Sequence, residues 1–270
     1  MRRRALISIF LAVTSLSAVA QKVDTLYTNL KNPSSFIIVN DAIYILESGN
    51  HRVLKLDLNG NLIEKYGNRG GGNYQFDNPI SIASSNGLKI FVSDPGNNRI
   101  QVFDKRWQYL SSIAGNEKFQ SENEITPTYL AVNKLGEIVF YDAKSKSLAK
   151  YDEDGAYLDR IPIPSDIKSV SGIQLSGDKV FVLDKKSGLV HRLSGNGFYE
   201  TFYPAKYANG FYSLDGLLFF AQKGSIDQID AQKKTNIIDL GKETTIRSFK
   251  VVDKLVYILT LDQLVRLPLK

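Results

Sequence analysis

Short apolar runs recur along the chain, and each one ends at an acidic or polar residue. These runs share the β-branched and aromatic composition that favours buried strands, and there are six of them, at residues 43–47, 90–94, 138–142, 180–184, 218–222 and 256–260. The last residues of successive runs lie 47, 48, 42, 38 and 38 positions apart. This regular spacing predicts a chain built from one repeated structural unit.

Further short strands are predicted around each of these runs. Alternating runs follow them at residues 52–57, 99–104, 148–152, 189–193, 226–230 and 263–267. Turn pairs such as Asn59-Gly60, Asp154-Gly155 and Asn196-Gly197 supply the positive φ that tight hairpins need. Four short strands in each unit of about 42 residues predict an all-β fold, a six-bladed β-propeller with four-stranded blades.

The two ends of the chain predict how the ring closes. The sixth unit ends after its third strand, so its blade lacks an outer strand. Residues 23–30 precede the first blade and form a spare strand, which we expect to complete the sixth blade. Such an N-terminal strand closing the last blade removes an open sheet edge.

The first 20 residues have the pattern of a secretory signal peptide. Arg2, Arg3 and Arg4 form a positive segment, and residues 5–13 are apolar except for Ser8. Ala18-Val19-Ala20 fits the small-residue rule for cleavage before Gln21. The apolar run is too short to span a bilayer. We expect residues 21–270 to form the propeller in the periplasm, with secretion as the alternative location.

Composition and charge narrow the function classes. The chain has 270 residues, no cysteine and a net charge of +6. Without cysteine it forms no disulfide, zinc–thiolate site or cysteine nucleophile. Three of the 34 basic residues belong to the predicted leader, against 28 acidic residues in the chain. The remaining excess of basic over acidic residues is small, and the basic residues are scattered over predicted hairpins. This distribution argues against nucleic-acid binding.

The first two blades carry the residues of a known repeat. Residues 47–57 read ESGNHRVLKLD and residues 94–104 read DPGNNRIQVFD, with the connection YGNRGGGNYQFDNP at residues 66–79 between them. This stretch resembles the NHL repeat, strongly over residues 31–104 and partly in blade three. The resemblance implies a six-bladed propeller. The leader followed by Gln21 also resembles exported proteins of Bacteroidota.

The sequence predicts no catalytic residue, metal or cofactor. His51 and His191 are the only histidines, too few for the three-histidine zinc site of some NHL-like lyases, and we expect both in solvated loops. Gly70-Gly71-Gly72 lacks the Lys-Ser/Thr partner of a phosphate loop. The loops at residues 57–61 and 152–155 lack the bidentate glutamate of a calcium loop.

Two groups of residues are candidates for binding a partner. The first group lies between the second and third strands of its blades and comprises Arg52, Arg99, Asn97 and Asn98. Its structural alternative is that asparagine caps the turn while arginine pairs with Glu47 or Asp94. The second group consists of aromatics expected to be exposed, namely Trp107, Tyr109, Phe198, Tyr199 and Tyr203, with Phe202 beside them. Their alternative is packing between blades.

These observations favour a non-enzymatic periplasmic scaffold that binds a protein partner and is monomeric before docking. The predicted compartment suggests an outer-membrane channel or a secretion assembly as that partner. The alternative is a metal-dependent hydrolase or lyase, similar to lactonases, with its metal in the central channel. Stoichiometric, tightly held metal in the purified protein would favour that alternative.

Overall fold

The computed structural model describes residues 23–84, 87–114, 124–214, 217–230 and 233–269. The predicted signal peptide lies outside these described residues. Within them, the chain forms six antiparallel sheets of four strands each, as the repeat predicts. None of the helices in the described part of the chain is long and apolar enough to cross a membrane.

The strands follow one another in a regular order. Strand β1 (Asp24–Tyr27) precedes the first blade. Blade one comprises, from the centre outward, β2 (Pro33–Val39), β3 (Ala42–Glu47), β4 (Arg52–Asp57) and β5 (Leu62–Tyr66). Blade two comprises β6 (Ile82–Ala83), β7 (Lys89–Asp94), β8 (Arg99–Asp104) and β9 (Tyr109–Ala114). Blade three comprises β10 (Pro127–Val132), β11 (Ile138–Asp142), β12 (Ser147–Tyr151) and β13 (Tyr157–Ile161).

The remaining blades repeat this order. Blade four comprises β14 (Val170–Ser176), β15 (Lys179–Asp184), β16 (Leu189–Ser194) and β17 (Tyr199–Pro204). Blade five comprises β18 (Gly210–Leu214), β19 (Leu217–Ala221), β20 (Ser225–Asp230) and β21 (Lys233–Asp239). Blade six comprises β22 (Ser248–Val252), β23 (Leu255–Leu259), β24 (Leu264–Pro268) and, as its outer strand, β1.

The inner strands form a closed ring. Each of β2, β6, β10, β14, β18 and β22 contacts the inner strand of the next blade, and β22 contacts β2. Because the strands of a blade alternate in direction, the loops that join them lie alternately on the two faces of the ring. The connection face carries the segments that enter the inner strands and the loops between second and third strands. The hairpin face carries the other two turns of each blade. The fold is a six-bladed β-propeller, which confirms the prediction.

The core lies between neighbouring blades. Leu46 and Val53 of blade one pack in one buried cluster with Val92 and Phe103 of blade two. The other blade pairs form similar clusters of buried aliphatic and aromatic residues. Each sheet therefore buries both of its faces, which explains why the second strands are apolar almost throughout.

A buried carboxylate ends the second strand in each of the first four blades. Glu47, Asp94, Asp142 and Asp184 are each no more than 1% exposed. Each accepts a hydrogen bond from a backbone N–H in the connection that enters its own blade, and the donors are Lys31 (2.7 Å), Asp77 (2.7 Å), Thr126 (2.9 Å) and Lys168 (3.0 Å). The acidic residue of the repeat is thus an anchor that fixes where the chain turns into the inner strand.

Strand β1 closes the ring as predicted. It pairs with β24, with Asp24 opposite Arg266, and the two side chains form an ion pair at 2.8 Å. Leu30 is buried, and its N–H donates to the carbonyl of Asp262 at 2.9 Å. The strand is shorter than the predicted 23–30 because Asn29 has φ 61°, outside the β region.

Removing residues 21–30 should destabilise the fold strongly. The deletion exposes the edge of β24 and takes away the buried side chain of Leu30. We expect a loss of about 3 kcal/mol or more in the free energy of unfolding, or a fall in Tm of about 6–12 °C. Thermal unfolding followed by circular dichroism measures it, with the exposed Val23→Ser as the control. An unchanged Tm in the deletion variant would show that the strand is dispensable.

Asp184→Ala tests the carboxylate anchor. Burial raises the pKa of Asp184, but hydrogen bonds from Lys168, Ser187 and Lys186 together hold that pKa below its usual value. Alanine leaves these donors without their acceptor, so we expect a loss of about 2 kcal/mol in the free energy of unfolding. Urea unfolding measures the change. The exposed Glu243→Ala should cost far less, and equal losses in the two variants would contradict the anchor.

Candidate functional site

The two candidate arginines contact the repeat itself. The Nε of Arg99 lies 3.1 Å from Asp94, and one of its terminal nitrogens donates to the carbonyls of Gly72 and Gln75 at 2.8 and 2.9 Å. Arg52 makes the corresponding ion pair with Glu47. Both guanidinium groups therefore hold the carboxylate anchors and, in blade two, the glycine-rich connection. These contacts are the alternative in which each arginine pairs with the acidic residue of its own blade. Any role of the two arginines in binding a partner stays a prediction.

The two candidate asparagines lie in the same loop of blade two. The amide nitrogen of Asn97 donates to Asp94 at 2.8 Å and to the carbonyl of Gly70 at 2.9 Å. Asn98 has φ 52° at the end of a short 3-10 turn, and its side-chain amide lies 3.1 Å from the Thr126 hydroxyl. Asn98 therefore links blade two to the connection entering blade three.

The expectation that Trp107 is exposed is wrong. Its side chain is 1% exposed and enters the interface between blades one and two. Its ring stacks on Phe103 at 4.4 Å, on Tyr66 at 4.8 Å and on Tyr44 at 5.4 Å between centroids. The residue has φ 65°, and this turn carries the indole toward blade one rather than into solvent. Trp107 is a packing residue.

The expectation of two solvated loop histidines is wrong for His191. This residue lies inside β16, opposite Val182 and Phe202, and is 4% exposed. Neither ring nitrogen has a hydrogen-bond partner among the described residues. Burial lowers the pKa of His191, against the smaller opposing effect of the carboxylates of Asp184 and Asp166. His51 does lie in a loop, where its Nδ1 accepts from the N–H of Asn78.

Three aromatic residues of blade four do face solvent. Phe198, Tyr199 and Phe202 are 72%, 47% and 52% exposed, and we name them the blade-four patch. They lie on or just before β17, the outer strand of its sheet. Tyr203 is half-buried, and its hydroxyl lies 3.0 Å from Arg192. Tyr109 is also half-buried, packed near Tyr74 and Phe103.

The central channel holds a cavity of about 450 Å³ that opens toward the connection face. The described residues around it come from all six blades. A second cavity of about 250 Å³ continues toward the hairpin face and shares Ile37, Ser84, Gln174 and Lys250 with the first. Lys250 therefore lies between the two compartments of the channel.

The charged side chains around the larger cavity are all cationic. They are Lys185, Arg247 and Lys250, and the described lining residues include no carboxylate and no histidine. Lys134 adds a further cation at the smaller cavity. The sequence does not predict these residues as a site, because most of its lysines, including Lys185, fall at hairpins where solvated charge is expected. The signal was present at Lys250, a lone charge between two valines and a phenylalanine in an inner strand.

This lining does not fit a divalent metal ion. Calcium takes carboxylate and carbonyl oxygens, and zinc takes imidazole, thiolate or carboxylate ligands. Ammonium and guanidinium groups repel either ion. In the described ranges, no group of three or more histidine, aspartate or glutamate side chains converges so that it could hold a metal. That the protein has no catalytic activity stays a prediction.

No model of a known protein family matches the chain. The human NHL repeat-containing protein 3 is 31% identical over 113 residues, which are 38% of this chain and 33% of that protein. This finding supports an NHL-repeat β-propeller. The chain spans a third of the length of this relative, so the relative carries no argument about the activity or partners of the whole protein.

Solved structures share the architecture at low identity. A gluconolactonase from Xanthomonas campestris matches with a TM-score of 0.71 and 15% identity over 93% of this chain and 90% of its own. Virginiamycin B lyase from Staphylococcus aureus matches with a TM-score of 0.64 and 12% identity, over 88% of this chain and 80% of its own. The WD40 repeats of RRP9 match with a TM-score of 0.68 and 10% identity, over 94% of this chain and 98% of their own. Enzymes and WD40 repeats thus share this architecture, and likeness at this level shows the fold alone.

His191→Leu should reduce the slope of the free energy of unfolding against pH. The folded chain resists protonation at this histidine, so the unfolded chain takes up the proton first as the pH falls below about 6.5. Below that pH the stability decreases, by at most about 1.4 kcal/mol per pH unit for one group. Urea unfolding between pH 7 and 5 measures the slope.

The loop variant His51→Asn is the matched control for this experiment, because Asn98 takes the corresponding place in blade two. It should keep most of the slope of the parent protein. A slope that survives in His191→Leu would show that other groups carry the acid sensitivity.

Proposed function

We propose that this protein is a non-enzymatic scaffold that binds a protein partner through the blade-four patch. The observation that carries the proposal is the exposure of three large aromatic side chains on or just before one outer strand, with more than half of Phe198 and Phe202 in solvent. Aromatic residues are enriched among those that contribute most to binding at protein interfaces. Propeller scaffolds such as WD40 proteins bind protein partners.

The backbone of β17 supports the same proposal. As the outer strand of blade four it pairs with β16 on one side only. An edge strand offers a row of backbone donors and acceptors to an extended segment of another chain. Glu200, between the aromatics, pairs with Lys179 at 2.7 Å and contributes a polar rim. A partner that presents an apolar extended segment fits this surface.

The proposed setting is the periplasm, with the protein a monomer until it docks. The support is the pattern of residues 1–20, with its positive start, short apolar run and small residues before Gln21. An outer-membrane channel or a secretion assembly is the partner that this compartment suggests. The identity of the partner rests on the compartment alone.

Affinity purification from envelope extracts tests the proposal. The full chain carries a C-terminal tag, and mass spectrometry identifies the proteins recovered and reads the first residue of the bait. We expect one envelope protein to come down with the parent chain and to be lost with Phe198→Ser/Phe202→Ser, because serine removes the apolar contact area. A bait that begins at Gln21 would agree with export.

Ile63→Ser is the matched control, since Ile63 is 54% exposed on β5, the outer strand of blade one. The control should recover the same protein as the parent chain. If the double variant in blade four recovers that protein as well, or if no protein is enriched in mild detergent, the proposed docking surface is wrong.

A further inference from the structure

The central channel has the size of a small-molecule site. Its larger cavity of about 450 Å³ lies within the usual range for ligand pockets, about 300–1,000 Å³. It opens on the connection face, whereas the blade-four patch lies on the outer rim of the ring. The two surfaces are therefore separate, and a ligand in the channel is independent of the protein partner proposed above.

The positive charge of the channel has no counter-charge in its described lining. Lys185, Arg247 and Lys250 belong to none of the ion pairs formed by the described residues. Carboxylates do end the second strands nearby, but the connections that enter the blades hold them through backbone N–H groups. The carboxylates are thus used by the fold, while the cations remain available to a ligand.

Lys250 is the innermost of these cations. Its strand β22 lines the channel, and its Nζ lies 4.8 Å from the centre of the Tyr212 ring. Burial lowers the pKa of this ammonium to about 8. Lys250 is half-buried, and a partly desolvated charge without a carboxylate in the described lining is costly, so a bound anion would offset that cost. The guanidinium of Arg247, at the mouth, donates only to the Asn32 side chain among the described polar groups, at 3.4 Å.

Neutral polar side chains complete the lining. Serines and amides alternate with small apolar residues around the cavity. Several serines bond to the backbone of the fold, as Ser171 does to the carbonyl of Leu183. The side chains of Ser35, Gln174 and Ser248, all on the channel lining, form no hydrogen bond with the described residues, so their polar groups can meet hydroxyl groups of a ligand.

We propose that the central channel binds a small anionic carbohydrate, a sugar carboxylate or a sugar phosphate, with Lys250 and Arg247 as the counter-charges. The cations select the anionic group and the neutral polar side chains meet the sugar hydroxyls. Both sources of the anion share the same chemistry, and the experiment below separates them.

Titration calorimetry of the full chain at pH 7 tests the proposal with four probes: D-glucuronate, D-glucose 6-phosphate, inorganic phosphate and neutral D-glucose. We expect one of the two sugar anions to bind, and to bind more tightly than inorganic phosphate, while D-glucose gives no signal. Glucuronate ahead of glucose 6-phosphate would assign the carboxylate, and the reverse order would assign the phosphate. No binding of any anion up to about 10 mM would overturn the proposal.

Substitutions then place the anion in the channel. Lys250→Met and Arg247→Gln should each weaken binding about tenfold, because each removes one charge-assisted contact. Lys105→Met, at an exposed hairpin of blade two, should leave the affinity unchanged. Arg247 is exposed at the mouth, so its variant should keep the parent Tm and remain informative if Lys250→Met folds poorly. Equal affinity in Arg247→Gln and in the parent chain would overturn the assignment.

Discussion

The hydrogen bond between a buried carboxylate and the backbone that enters its blade is the interaction on which the first four blades depend. It recurs in the first four blades, with Glu47 in the first and aspartate in the other three. A propeller has to place every inner strand at the same distance from the axis, and the entering segment has no sheet partner to hold it. The carboxylate supplies that partner, and its burial keeps water from competing.

This use of the carboxylates shapes what the rest of the molecule can do. Arg52 and Arg99 pair with the anchors, so side chains that look available for a ligand belong to the scaffold. The channel is left with Lys185, Arg247 and Lys250 and with no carboxylate among its described lining residues. The repeated contact therefore holds these carboxylates in the fold, while the cations line the channel.

Ring closure explains where the remaining chemistry lies. The inner strands contact one another and β1 pairs with β24, so the exposed sheet edges are the outer strands of the blades. Most aromatic residues pack between blades, as Trp107 does against Phe103 and Tyr66. Those of the blade-four patch remain exposed, on or just before the outer strand β17. The outer rim and the channel are thus two separate surfaces of the molecule.

The sequence by itself determined the number of blades, the strands within each blade and the closing strand, because alternation and repeat spacing are local properties of the chain. Only the tertiary structure decided which individual side chains are buried and which are exposed. Trp107 and His191 lie in segments whose pattern gives no sign of burial, yet Trp107 packs between blades one and two, and His191 is 4% exposed within blade four. Lys185 joins Arg247 and Lys250 because blades four and six, which are distant in sequence, meet around one axis. Such convergence is a property of the closed ring, which no local pattern records.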